Sequence, residues 1–189
     1  MIGATRYETE RLHLEPLRGA HAAELFELLS DERLYRYIPH DPPGTLAALT
    51  ERYERLETRH SASGDESWLN WAVRSKSDGR CMGRVEVTIR PDAGALLAYE
   101  IGPEFWRRGI ATEACRRVIR ALFEEGGVTE VMAEVDTRNL PSIRLLERLG
   151  FERGGFRPNA DFFKGRASDE WAYRLARPAG DRADPKSGA

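Results

Sequence analysis

Cysteine is scarce in this 189-residue chain: Cys81 and Cys115 are the only two, with no metal-ligand spacing and no close histidine partner. The scarcity predicts a reduced, cytoplasmic setting, no metal site, and two thiols in or near the core. Long apolar runs are missing too. No stretch approaches the roughly 18 residues that a membrane span needs, and the N-terminus lacks a secretory signal's apolar core, so no membrane partner is expected. Charge of one sign is missing. With 29 Lys+Arg against 31 Asp+Glu, the net charge of -2 supplies no field to gather nucleic acid or anionic lipid. There is no internal repeat and no G-x-x-x-x-G-K-[ST] loop, which argues against a nucleotide- or nucleic-acid-binding α/β domain.

What remains is ordinary soluble composition, 41% hydrophobic and 32% charged. The length suits one domain, expected over 1–176, able to bury roughly 70% of its unfolded surface. The Pro-, Gly- and charge-rich stretch 177–189 reads as a disordered tail.

The periodicities give a strand over Arg11–Leu17 and a helix over Ala20–Leu29, with Ala22, Leu25, Phe26 and Leu29 on one face. A loop follows through Asp41-Pro42-Pro43-Gly44, and Thr45 caps a helix reaching about Arg59. Trp68–Arg74, Cys81–Ile89 and Leu96–Ile101 read as strands, joined by turns at Ser77-Asp78-Gly79 and Arg90–Gly94. A helix over Gly109–Glu125, a strand over Val128–Val135 and a short helix over Asn139–Leu149 come next. Phe151–Phe156 and Ser168–Leu175 read as two final strands. This order predicts an α/β protein with a mixed sheet.

The most informative stretch is Tyr99 to Ala114, YEIGPEFWRRGIATEA. A strand there meets a basic, glycine-containing junction, and a helix starts at once. Helix-start N–H groups and the helix dipole favour an anion, and Gly109 lets a phosphate approach the backbone. Arg107 and Arg108 add positive charge. Taken alone, the junction could equally be a tight turn with solvated arginines.

A second constellation is Asn139-Leu140-Pro141-Ser142, followed by Leu149-Gly150-Phe151. Asn139 and Ser142, three apart, share one face at a helix start, where adjacent parallel strands would end. A plain N-cap would also account for Asn139, with Pro141 in the first turn.

Together, in this order and spacing, the two segments resemble the GNAT superfamily of acetyl-CoA-dependent N-acetyltransferases, and within it the RimJ/RimL-like branch. The signature segments lie within Leu96 to Phe156, and a weaker match spans Arg11 to Leu175. The resemblance implies the acyl-CoA N-acyltransferase fold: a mostly antiparallel sheet, one splayed parallel pair, and flanking helices. It implies acetyl-CoA as cosubstrate. Its Q/R-x-x-G-x-G/A loop would fall on Trp106, Arg107, Arg108, Gly109, Ile110 and Ala111, whose amides would cradle the pyrophosphate. Relatives of this branch with Trp at the first position usually follow it with Gly; here Arg107 stands there. Tyr99 to Ile101 would pair their backbone with the pantetheine arm. Asn139 would hydrogen-bond that arm, Ser142 would lie near the sulfur, and Arg144 would reach the phosphates or serve as a surface charge.

Acetyl transfer to an amine needs a neutral nitrogen, a donor for the oxyanion, and a proton or hydrogen bond for the thiolate. α-Amines and lysine-like amines titrate near 8 and 10, so a base or a water relay is required. Glu100 is the first candidate base, its pKa raised by partial burial, or else the partner of an arginine; Glu86 is the second. Ser142 is the candidate acid. A backbone N–H of the Tyr99–Ile101 strand suits the oxyanion. No Cys/His or Ser/His pairing suggests a covalent route.

Tyr35, Tyr37, Trp68 and Trp71 are candidates for the acceptor pocket or for the core, and His40 is expected to be exposed. The loop 31–44 and the link 156–168, with Asp41, Asp161, Phe162 and Phe163, would frame that pocket and favour a cationic acceptor. The acceptor is expected to be a small-molecule or peptide amine, and the enzyme a monomer or homodimer. A non-catalytic acetyl-CoA- or partner-binding module of the same fold is the alternative.

Overall fold

Hairpins build much of the sheet of this chain, with Gly79 and Gly165 at positive φ in two of their turns. The computed structural model describes residues 2–91 and 94–178. After a short 3-10 segment come β1 (Tyr7–Glu8), β2 (Leu12–Pro16), α1 (His21–Leu29), α2 (Leu46–Glu57), β3 (Ser67–Ser75), β4 (Cys81–Arg90) and β5 (Gly94–Ile101). Then follow α3 (Ile110–Glu124), β6 (Glu130–Asp136), α4 (Leu140–Arg148), β7 (Glu152–Phe163) and β8 (Arg166–Ala176). Among the described residues these strands form one sheet in the order β1-β2-β3-β4-β5-β6-β8-β7. Every pairing is antiparallel except β5 with β6.

Helices cover both faces. Thr45 caps α2 by accepting from Ala48 N–H, and α1 and α2 pack Leu25, Leu29, Leu49 and Tyr53 against Ala72 and Cys81. On the other face, α3 and α4 pack Val118, Leu122, Ile143 and Leu146 against Trp71, Val85, Leu97 and Val135. This is why β3 is buried from Leu69 through Val73 rather than on alternate residues alone.

The parallel pair is the exception that shapes the molecule. β5 and β6 are paired only at Ala95–Val131 and Leu96–Met132. Beyond that point β5 stays with β4 as far as Ile101, and β6 stays with β8 as far as Asp136. Each strand follows its antiparallel neighbour, whose ladder is longer, and the two part company. The expected splayed pair is present.

Several boundaries differ from the sequence reading. The stretch 156–168, expected as a link, is mostly strand: β7 and β8 form a long hairpin turning at Lys164-Gly165, both at positive φ. β7 is exposed over most of its length, so it carries no alternation to read. A 3-10 turn at Glu32–Tyr35 interrupts the expected loop, with Asp31 accepting from Arg33 N–H. The expected tail lies largely outside the described residues; within them, Arg177 N–H donates to Thr129 O. Among the described residues no helix is long and apolar enough to cross a membrane.

Gly83 sits on β4 opposite Ile101 at φ 150°, and a Cβ there would lie 2.1 Å from the Glu100 carbonyl oxygen and 2.8 Å from Ile101 Cα. Backbone cannot yield as a flexible side chain would. Gly83→Ala should therefore cost about 3 kcal/mol and lower the melting temperature by roughly 6–12 °C, read in a thermal melt.

Candidate active site

The loop before α3 is shaped by its own backbone. Gly109, the N-cap, is left-handed at φ 76° and no side chain caps the helix. The first-turn N–H groups therefore face outward with helix-dipole charge behind them. Trp106 folds back, its Nε1 donating to Ile101 O at 2.6 Å, so that carbonyl is already engaged. Arg11 holds the loop from the side: its Nη1 donates to Arg108 O at 3.0 Å and its Nε to Glu113 Oε2 at 2.7 Å. Arg107 is also left-handed, at φ 59°. Glycine adopts that conformation freely, whereas a side chain costs about 1–2 kcal/mol there. That is a physical reason for glycine to be usual at this position.

Pleating sends adjacent residues of β5 to opposite faces. Tyr99 packs against the α3–α4 core, where burial pushes its phenol well above the ordinary value. Ser142, on the first turn of α4, lies beside it, and the Tyr99 hydroxyl has no partner in hydrogen-bond geometry. Asn139 caps α4, its Oδ1 accepting from Ser142 N–H at 3.3 Å. The β6–α4 connection is anchored by Asp136, which is buried. Its Oδ2 accepts from Ser168 Oγ at 2.7 Å and its Oδ1 from Arg138 N–H at 2.8 Å.

Glu100 points to the other face. Its Oε2 accepts from Arg84 Nε at 2.7 Å, and Arg84 Nη1 lies 2.6 Å from Glu86 Oε2, outside hydrogen-bond angles. The Arg84 side chain is 2% exposed and that of Glu100 16%. Burial opposes ionisation of Glu100, but the charge and hydrogen bond of Arg84, aided by Arg52 and His40, outweigh it and hold the carboxyl below the usual range. A depressed carboxyl stabilises the fold above its unfolded value of about 4.3, and that contribution is lost as the pH falls through the lower folded value. A cavity of about 190 Å³ opens over Glu100, roofed by α2 and the loop carrying Asp41 and Pro43. Tyr35 lines it, donating to Leu29 O at 2.8 Å, with its pKa pushed up to about 12 by burial and by the Glu100 charge. Lys164, at the β7–β8 turn, donates to Ile38 O and His40 O and so ties the hairpin to this loop.

The family model of the acetyltransferase (GNAT) domain matches residues 11–152, three quarters of the chain. The chain belongs to the GNAT acetyltransferases. It is 31% identical over 156 residues to the Bacillus subtilis protein named "Probable N-acetyltransferase YjcK", covering 76% of this chain and 82% of that one. The ribosomal-protein-S5-alanine acetyltransferase of Vibrio fischeri superposes with a TM-score of 0.79 at 18% identity, over 93% and 98% of the two chains. The microcin C7 self-immunity acetyltransferase MccE, solved with acetyl-CoA and AMP, superposes with a TM-score of 0.78 at 18% identity, over 89% and 94%. At that identity the last two speak for the fold alone.

In this acetyltransferase Trp106, Arg107, Arg108 and Gly109 are exposed on the loop, with Ile110 buried and Ala111 half-buried behind them. Arg144 is exposed on α4. Two expectations need correction. Trp71 is not an acceptor-pocket residue: it is fully buried on the α3 face, tilted against Tyr7, with Nε1 donating to Thr5 O. The Glu100 pKa is not raised: Arg84, fixed beside it, outweighs the effect of burial. Glu86 shares Arg84 but stands outside the cavity lining, and Tyr37 is half-exposed beside Arg138. Trp68 donates to Glu66, and His40 is exposed. Cys81 and Cys115 are buried; burial lifts the Cys81 thiol to about 11 and Cys115 higher still.

Sequence reading missed Arg84, Arg52, Tyr53 and the Tyr99 hydroxyl. Arg84 was within reach, since the Arg90–Gly94 pairing sets a register in which Arg84 faces Glu100. Replacing Arg84 by Met leaves a buried carboxylate without its cation, at a cost of about 3–5 kcal/mol. In Arg84→Met the Glu100 pKa should rise above the ordinary carboxylate value. An infrared pH titration of the carboxyl band, with Glu100→Gln as the reference, should read that rise directly.

Proposed function

We propose that residues 1–176 form one acetyltransferase domain that moves an acetyl group from acetyl-CoA directly to a primary amine within a ternary complex. The observation that carries this reading is the gap between β5 and β6, with Glu100 on one face and Tyr99 and Ser142 on the other. A group held in the gap is open to a proton acceptor from one side and hydroxyl donors from the other. The residues present suit coenzyme A. The uncapped start of α3 offers N–H donors to a pyrophosphate, Gly109 leaves the approach clear, and the buried Tyr99 hydroxyl lacks a partner. The Asn139 amide N–H₂ is the candidate donor for the pantetheine arm and Arg108 and Arg144 are the candidate cations for its phosphates, while the Ile101 carbonyl is already taken up by Trp106.

Acetyl-CoA supplies the acetyl group as a thioester whose thiolate, of pKa about 8.5, is a fair leaving group. In the net reaction a C–N bond forms and a C–S bond breaks. One proton of the ammonium ends on sulfur and one in solvent. Glu100, ionised at neutral pH, holds the incoming ammonium and relays its proton through water; it is too acidic to keep it. Tyr99 Oη and Ser142 Oγ donate towards sulfur. Because the thiols of Cys81 and Cys115 stay protonated and buried, the route needs no acyl-enzyme.

Acetyl-CoA at 100 times its Kd should stabilise the protein by about 2.7 kcal/mol, a rise of roughly 5–10 °C in melting temperature. The same assay on Gly109→Val should lose most of that rise; no rise in the native protein would refute acetyl-CoA binding. Since Glu100, its pKa lowered by Arg84, is already ionised at neutral pH, the acid limb of kcat/KM should track the amine itself. It should sit near 8 for an α-amine and move up by about two units for a lysine-like amine. A limb fixed near 6 for both would overturn the relay.

A further inference from the structure

The cavity over Glu100 holds charges that acetyl transfer alone does not require. Arg84 lies between Glu86 and Glu100, so the trio carries one negative charge in excess. Arg52, on α2, lines the opposite, helical wall of the cavity, and among the described residues its guanidinium has neither ion pair nor hydrogen bond. The other charges on the lining are matched: Arg55 lies 3.6 Å from Glu51, and Asp41 lies 3.5 Å from Lys164 Nζ. The Arg52 charge reaches Glu100, Tyr35 and Tyr53. Tyr53 is fully buried, lines the same cavity, and its hydroxyl has no partner. A buried hydroxyl without a partner costs about 1–3 kcal/mol, which a ligand oxygen would relieve.

We infer that the acceptor is a small α-amino acid, its ammonium on Glu100 and its carboxylate on Arg52, with the Tyr53 hydroxyl donating to that carboxylate. The inference rests on the acetyltransferase reading above. A protein N-terminus has no carboxylate beside its amine and leaves Arg52 unmatched. A polyamine sets further positive charge against it. Size points the same way. At about 190 Å³ the cavity falls below the roughly 300 Å³ at which drug-sized sites begin. Its roof is pinned by Lys164 to Ile38 O and His40 O.

The test is thiol release from acetyl-CoA with matched acceptors: L-amino acids, their carboxamides, short peptides with free N-termini, and spermidine. The carboxamide carries the less basic amine and is chemically the easier acceptor, so a preference for the acid reads the carboxylate contact. We expect kcat/KM for the best amino acid to exceed that for its carboxamide at least tenfold. Arg52→Gln should collapse this ratio towards one through a higher KM for the acid, and Arg52→Lys should restore part of it. Peptides or carboxamides turned over as well as the acids, or an unchanged ratio in Arg52→Gln, would overturn the amino-acid assignment and leave the acetyltransferase reading standing. Failure of every acceptor to release thiol, together with no thermal shift by acetyl-CoA, would overturn both.

Discussion

Two parallel strands that begin as neighbours and then separate are the constraint on which this structure depends. Hydrogen bonding between β5 and β6 stops after two residue pairs because each strand is committed on its other edge. The opening is therefore held by the β4–β5 and β6–β8 antiparallel ladders on either side of it, and no loop has to keep it apart. Gly83 takes part in this commitment: only a residue without a side chain lets β4 lie so close to the Glu100–Ile101 backbone. The α3 helix start and the α4 helix start then flank the same opening, one from each strand's C-terminal end, as open parallel pairs favour.

A buried arginine sets the electrostatic character of one side of that opening. Arg84 would be costly to bury alone, and the two carboxylates that neutralise it fix its place. The consequence for Glu100 runs against simple desolvation. A carboxylate in a half-closed cavity ordinarily becomes a weaker acid; this one becomes a stronger acid, because its counter-ion is buried deeper than it is. On the other side, Tyr99 keeps its proton for want of any charge to stabilise a phenolate. The two faces thus differ in kind, one anionic and one neutral and hydroxyl-rich.

Much of this was legible in the residues. Gly109, Asn139 and Ser142 advertise helix starts, and Thr45 a cap, through local chemistry that acts within one turn of chain. The alternation of β3 to β5 gave the strands themselves. What escaped was long-range. Trp71 lies on a strand buried on both faces, so its alternation could not say which helical layer it packs against. Arg84 and Arg52 come from separate elements, and their meeting near Glu100 depends on register and helix packing. β7 has an exposed face almost throughout, and a strand that buries nothing leaves no hydrophobic rhythm to detect.

The tie between Lys164 and the loop at Ile38–His40 joins the most exposed strand pair to the roof of the cavity. An edge hairpin tolerates changes in length and composition, since little core depends on it. Here such changes would be transmitted through one lysine to the loop that roofs the cavity over Glu100. The part of the fold freest to drift over evolution is thereby coupled to the shape of the cavity over Glu100, so that cavity can change without disturbing the strands that hold the β5–β6 gap open.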